Sequence, residues 1–300
     1  MKVGFYILAR DKKDHVRRSV DSALAQTYQP LTIYLSDQGS TDGTTEILDE
    51  YKATYRGPHT IERLNAPADV PFSMVGLNRH FNYMMDNSDA DLMLLQSADD
   101  YSDPERTAET VKVYQRCRPS YIGNRVRVET PDGSGELRTT AYGGGGFVSG
   151  ADSLLHHIGG SVTCALDRDF WNRVRPISDL QLIDVSLPFV AAQDRGLYVM
   201  PEVLSAYVEH PSPHNAGLGN QMLAIGDNEA RQRQMHELMV CEVTTGLVGT
   251  LQLFAEGRFT YKVPGDEVAL LRRIVQQAVD WSVARRNLHS AGLPPIGREA

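Results

Sequence analysis

Cysteine is scarce in this chain: Cys117, Cys164 and Cys241 are the only three among 300 residues, far apart and without CxxC spacing. An odd, scattered set argues against a disulfide framework and against a zinc cluster, and it fits reduced thiols in a cytoplasmic protein. Long apolar runs are missing too. No segment approaches the roughly 20 apolar residues that span a bilayer. The apolar start at residues 3–8 gives way at once to Arg10, Asp11, Lys12 and Lys13, which is too brief for a signal-peptide core. A membrane-bound substrate would therefore be met from the cytoplasmic side. Positive charge is in deficit, with 30 Lys and Arg against 38 Asp and Glu and a net charge of -8. That balance disfavours nucleic acid as a partner. No internal repeat or low-complexity tract is present.

What is there is an ordinary folded composition, 41% hydrophobic and 23% charged, long enough for one large domain with a C-terminal elaboration. Residues 3–8 read as a buried strand. Residues 14–26 follow with Val16, Val20, Ala23 and Leu24 at helical spacing, and Gln29-Pro30 closes the segment. A second strand at 31–35 runs into Ser36-Asp37-Gln38-Gly39-Ser40-Thr41-Asp42-Gly43-Thr44, a turn crowded with acids, glycines and hydroxyls, and 44–55 resumes a helical pattern. Strand, helix, strand, helix predicts a parallel sheet. A third strand at 60–64 and a helix at 74–85 precede the central stretch.

That stretch is the apolar run 92–95 followed by Gln96-Ser97-Ala98-Asp99-Asp100-Tyr101-Ser102-Asp103-Pro104. In an open α/β sheet ligands collect beyond the carboxyl ends of the strands, so adjacent carboxylates at such an end suit a hard cation and phosphate. The same residue types also cap a helix, here the one expected at 103–116. Further on, 121–129 reads as an exposed strand entering a turn, and four consecutive glycines at 143–146 predict a loop, either a plain linker or a flap over ligand. His156 and His157 are adjacent, so they point apart and read as structural. A helix is expected at 168–174, and the apolar segment 180–192 carries one acid, Asp184, which needs a partner or a purpose there. Strands at 197–200 and 203–208 lead to His210. Helices at about 221–255 and 265–289 form a C-terminal region that packs on the sheet or dimerises.

Residues 14–28 with Ser22-Ala23-Leu24-Ala25-Gln26-Thr27-Tyr28, the block Asp37 to Thr44, and Ser97-Ala98-Asp99-Asp100 with Pro104 together resemble a family 2 glycosyltransferase of GT-A fold. The resemblance extends through Ile158-Gly159-Gly160-Ser161 and Pro201-Glu202-Val203-Leu204 to His210, covering roughly residues 1–215. It implies a Rossmann-like, mostly parallel central sheet flanked by helices. A nucleotide-binding half would occupy 1–104, an acceptor half 105–215 and a helical region 216–300. It also implies a nucleotide-diphosphate sugar donor, expected to be a UDP-sugar, with Mn2+ or Mg2+, and an acceptor hydroxyl whose identity the sequence does not specify.

By matching position, Asp37 would bind the base and ribose, with Ala9 and Arg10 contacting the base. Ala98 and Asp99 would lie in the donor site, Asp99 and His210 would hold the metal, and Asp184 would be the general base of an inverting reaction. Arg79 and Asn82, on the helix before the acidic strand, are candidates for phosphate or sugar contacts or else solvent-facing residues. Three positions depart from the family pattern: Gln38 and Ser97 stand where acids are common, and Ile183 where Glu is usual. These departures keep open a catalytically weakened nucleotide-sugar-binding protein. A nucleotidyltransferase also places acids and a metal beside a nucleotide, but the first loop here lacks the Gly-rich, basic character such an enzyme calls for. A retaining transfer stays open, because fold and donor site do not fix stereochemistry.

Overall fold

The computed structural model describes residues 1–68, 74–130, 145–149, 153, 163–177, 183–208 and 276. His156, His157, His210, Gly143, Gly144 and the C-terminal segment apart from Gln276 lie outside the described residues. The chain opens β1 (Val3–Ala9), α1 (Val16–Leu24), β2 (Thr32–Asp37), α2 (Thr44–Thr54), β3 (Thr60–Asn65), α3 (Met74–Asp86) and β4 (Leu92–Ser97). It continues through β5 (Tyr101–Ser102), α4 (Arg106–Cys117), β6 (Tyr121–Glu129), β7 (Gly146–Val148), β8 (Ala165–Asp167), α5 (Arg168–Val174), α6 (Ile183–Gln193) and β9 (Leu197–Val208). No helix among the described residues is long and apolar enough to cross a membrane.

The nine strands among the described residues join one sheet in the order β3-β2-β1-β4-β8-β6-β9-β5, with β7 also on β9. The strands β3, β2, β1 and β4 are mutually parallel. Beyond them β8 is antiparallel to both β4 and β6, while β6 and β9 run parallel to each other. The strand period of two sorts the core onto two faces. Tyr6, Met93 and Leu95 face a layer with Phe81, Met84, Phe170, Trp171 and Leu187 from α3, α5 and α6. Phe5, Ile7, Leu92 and Leu94 face the opposite layer with Val16, Val20, Leu48 and Val111 from α1, α2 and α4. Strands covered on both sides read as continuous apolar runs, which is why β1 and β4 are apolar without alternation.

Two expectations change at the far side of the sheet. The residues Tyr121, Ile122, Gly123 and Asn124 of β6 are buried, not exposed, because β8 and β9 flank them. The segments 197–200 and 203–208 form one strand across Pro201. Asn124 pairs with Met200 and Arg125 with Val203, so a register irregularity absorbs Pro201 and Glu202 and no ladder donor is demanded of the proline. Of the four glycines, the last, Gly146, starts β7 against the beginning of β9.

Candidate functional site

The chain leaves β1 for β2 and β3 on one side and later crosses to β4 on the other, so the sheet order reverses between β1 and β4. Such a reversal opens a crevice at the carboxyl ends of the strands. Ala9 ends β1 and Arg10 follows it, Asp37 ends β2 in register with Ala9, and Ser97 ends β4 with Ala98 to Asp100 directly after it. The structure thus brings Ala9, Arg10, Asp37, Ala98 and Asp99 to one edge. Gln38 donates its backbone N–H to Ala9 and Ala98 donates its own to Leu8, so the three strand ends are stitched together before they diverge.

Asp37 is buried and organises its loop. Its carboxylate accepts the Ser40 N–H at 3.3 Å, the Ser40 hydroxyl at 2.5 Å and the Thr45 hydroxyl at 2.8 Å. Gly39 takes φ +68 in this turn, a left-handed conformation that glycine adopts without strain. The neighbouring loop interlocks with it. Asp11 accepts the Thr41 N–H at 2.8 Å, and Asp42 accepts the Lys13 N–H at 2.9 Å and the Thr44 hydroxyl at 2.6 Å. Gln38, standing where the family commonly has an acid, accepts from Arg10 at 3.3 Å and donates to the Gly76 carbonyl at 2.9 Å. A neutral amide serves that bridge because it needs both a donor and an acceptor.

Beneath this loop Ser36 Oγ lies 2.7 Å from His80 Nε2. Burial pushes the His80 imidazole down to about 4 and keeps it neutral.

The acid turn after β4 is braced from α1. Gln96, fully buried, donates its amide to Ser19 Oγ at 2.7 Å and accepts the Ser102 hydroxyl at 2.5 Å. Gln26 donates to the Asp103 carbonyl at 2.8 Å and accepts the Thr107 hydroxyl at 2.6 Å, while Thr27 donates its N–H to the Pro104 carbonyl at 3.0 Å. The Ser22 to Tyr28 block therefore has a local reason: it supplies the side chains that hold the turn. Arg106 closes the network from below, donating to the Leu95 carbonyl at 2.8 Å, the Cys164 carbonyl at 3.3 Å and Ser102 Oγ at 3.0 Å. Burial lowers its guanidinium to about 10.

The two acids of the turn differ. Asp100 is buried and accepts the Val208 N–H at 3.0 Å, and burial followed by the Asp99 charge raises its carboxyl well above the usual range. Asp99 is the more accessible, and its Oδ2 lies 2.5 Å from Lys12 Nζ. Among the described residues no group of three His, Cys, Asp or Glu could hold a metal ion. A cation held by one carboxylate plus substrate phosphates and water needs no such cage, and the Lys12 ammonium shows that the Asp99 oxygen is directed at a cation.

Of the remaining candidates, Asp184 lies in the first turn of α6, partly exposed. Its negative charge contributes to raising the Tyr121 hydroxyl and the Cys164 thiol, behind burial as the main cause. Cys164 lies beside β4, its carbonyl accepting the Leu95 N–H at 2.8 Å. Arg79 is exposed on α3. Asn82 is committed elsewhere: its amide donates to the Ile177 carbonyl at 2.8 Å and accepts the Ile177 N–H at 2.9 Å. Sequence reasoning missed Lys12, His80 and Arg106. Lys12 carried a usable signal, a cation three residues beyond the end of an apolar strand that abuts the acidic one.

Carboxylates at the topological reversal of an open α/β sheet stand where such sheets bind their ligands. The profile of glycosyl transferase family 2 matches residues 5–174. The chain belongs to that family and is a glycosyltransferase. No curated protein matches it. Solved structures similar to it include S. aureus TarS 1–349 in complex with UDP-GlcNAc, 12% identical over 98% of this chain and 76% of that one, with a TM-score of 0.61. The Pyrobaculum calidifontis mannosyltransferase PcManGT with GDP-Man and Mn2+ is 11% identical over 94% and 87%, with a TM-score of 0.53. GalNAc-T7 with UDP, GalNAc and Mn2+ is 13% identical over 70% and 44%, with a TM-score of 0.51. The chain shares their GT-A fold.

Proposed function

We propose that the chain transfers a sugar from a UDP-sugar to an acceptor hydroxyl with inversion, using Asp184 as general base and a divalent cation at Asp99. The observation that carries this reading is the convergence of Asp37 and Asp99 on the two sides of the β1 end, at the reversal of the sheet. The UDP-GlcNAc complex of TarS and the Mn2+ complexes of PcManGT and GalNAc-T7 support the donor class and the metal.

An ionised carboxylate has about four lone-pair sites, and Asp37 uses three of them within its own loop. The fourth is available to the imide N–H of uracil, with Ala9 and Arg10 alongside. Asp99, with His210 from the segment after β9, would hold Mn2+ or Mg2+. A bound divalent cation supplies charge stabilisation for the leaving diphosphate. The braced turn keeps Asp99 from reorienting as that charge develops, which is the preorganisation that makes electrostatic stabilisation effective. Asp184 would take the proton of the acceptor hydroxyl.

The test is a thermal-shift panel of UDP, GDP, CDP and dTDP, each with Mn2+, Mg2+ or chelator. A ligand that binds only the folded state raises the melting temperature by mass action. UDP with metal is expected to stabilise, and Asp99→Asn to abolish the effect. A wild-type chain that none of the four nucleotides shifts would overturn the reading. Binding of UDP-sugars without hydrolysis or transfer would make the protein a nucleotide-sugar-binding one.

A further inference from the structure

We infer that Lys12 and a divalent cation are alternative occupants of Asp99, and that loading the site with metal and nucleotide diphosphate moves the Lys12 ammonium from the carboxylate to the diphosphate. The inference rests on the assignment of Asp99 as the metal carboxylate, and it adds a residue which that assignment does not contain.

The pair is not a surface ornament. Its ends are 2.5 Å apart and only 14% and 13% exposed, so solvent screens it far less than the exposed pairs of this chain. It also lies where a ligand belongs, because Lys12 follows β1 and Asp99 follows β4, the two strands between which the sheet order reverses. The root of Lys12 is pinned. Its N–H donates to Thr44 Oγ1 at 2.8 Å, and its carbonyl accepts the N–H groups of His15 at 3.0 Å and Val16 at 2.9 Å. The four-carbon stem remains the movable part, and its rotatable ammonium suits phosphate as a point charge.

Electrostatics then sets the order of events. Asp99 and Asp100 adjoin, and the Lys12 ammonium sits directly on Asp99. A divalent ion on the same carboxylate would stand a few ångströms from the ammonium in a partly buried pocket, and like charges so placed repel strongly. Metal alone is thus opposed by Lys12. When the metal arrives with a diphosphate, the anion offers the displaced ammonium a new partner within the crevice, and the opposition is relieved. Lys12 would thereby weaken binding of bare metal and strengthen binding of the metal–nucleotide pair.

The test uses the full chain and follows Mn2+ by the electron paramagnetic resonance of the free ion, with and without UDP, in wild type, Lys12→Met and Lys12→Arg. Lys12→Met is expected to bind Mn2+ alone about fivefold or more tighter than wild type, and to bind UDP at saturating Mn2+ about fivefold or more weaker. Lys12→Arg should stay near wild type in both. A merely structural lysine would lower both affinities together, and that result, or an unchanged Mn2+ affinity in Lys12→Met, overturns the inference while leaving UDP binding by the wild type as the separate measure of the transferase reading.

The wild-type chain gives a decision that needs no variant. Acylation of the Lys12 amine, followed by mass spectrometry, should rise with Mn2+ alone and fall again with Mn2+ and UDP. Equal labelling in all three states overturns the exchange.

Discussion

Asp100 accepts the backbone N–H of Val208 at 3.0 Å, so the acid turn after β4 is tied to the last residue of β9. Asp100→Ala would strand that N–H and is expected to cost about 1–3 kcal/mol. Asp100→Asn keeps an oxygen acceptor and removes the charge. The Asp100 carboxyl is raised in the folded state, chiefly by burial and then by Asp99, so its contribution to stability is present at low pH and is lost as pH rises. Urea unfolding midpoints should therefore favour Asp100→Asn over wild type increasingly between pH 4 and pH 8. A midpoint difference independent of pH would contradict this.

His80 acts with the opposite sign. Its folded value of about 4 lies below the ordinary 6.5, so the neutral ring is the folded form. Stability from this group is complete above pH 6.5 and is lost as pH falls toward 4, by up to about 3 kcal/mol for a buried imidazole shifted this far. His80→Gln, whose amide reaches as far as Nε2, should flatten the acid limb of the stability profile. Parallel wild-type and variant profiles between pH 7 and pH 4 would count against it.

Arg106 donates to two buried carbonyls and to Ser102 without touching an acid. Arg106→Met removes one donor from each of those carbonyls, the Cys164 carbonyl keeping the Leu95 N–H, but also removes a buried charge, for a net loss of about 2 kcal/mol. Arg106→Lys should not restore it, because a single ammonium cannot span the fork of acceptors. Denaturant unfolding of the two variants measures this, and a Lys variant at wild-type stability would show that charge alone suffices.

Asp184→Asn separates chemistry from binding. If the proton acceptor is Asp184, as proposed above, kcat should fall by about 10²–10⁴. The thermal shift produced by UDP and metal should persist. Turnover at the wild-type level would remove Asp184 from the mechanism, and loss of the UDP shift would recast it as part of the donor site.

The legible part of this protein was its local part. The alternation of strands and helices through residue 116, and the gathering of Asp37 and Asp99 at strand ends, follow from periodicity and from acids placed after apolar runs. What escaped depended on neighbours distant in sequence. The early residues of β6 read as exposed because nothing local announces that β8, pairing Leu166 with Tyr121 and Ala165 with Ile122, will flank them. Pro201 read as a strand boundary, since the irregularity that accommodates it belongs to the partner strand. Lys12 read as one charge in a basic turn. Only the adjacency of β1 and β4 turns it toward Asp99. Asn82 had the right type for a sugar contact, yet its amide is taken by Ile177.

The bond between Asp100 and Val208 also bears on synthesis of the chain. A nascent polypeptide of about half this length already contains Asp37, Lys12 and both acids, but β4 has a bare edge until residues 165–167 emerge, and the Asp100 carboxylate lacks the Val208 N–H until residue 208 does. Up to that point the ribosome holds an open sheet whose unpaired strand can recruit other chains. The acid turn is thus completed late in translation, and an early stop codon would release an adhesive fragment instead of a smaller folded protein.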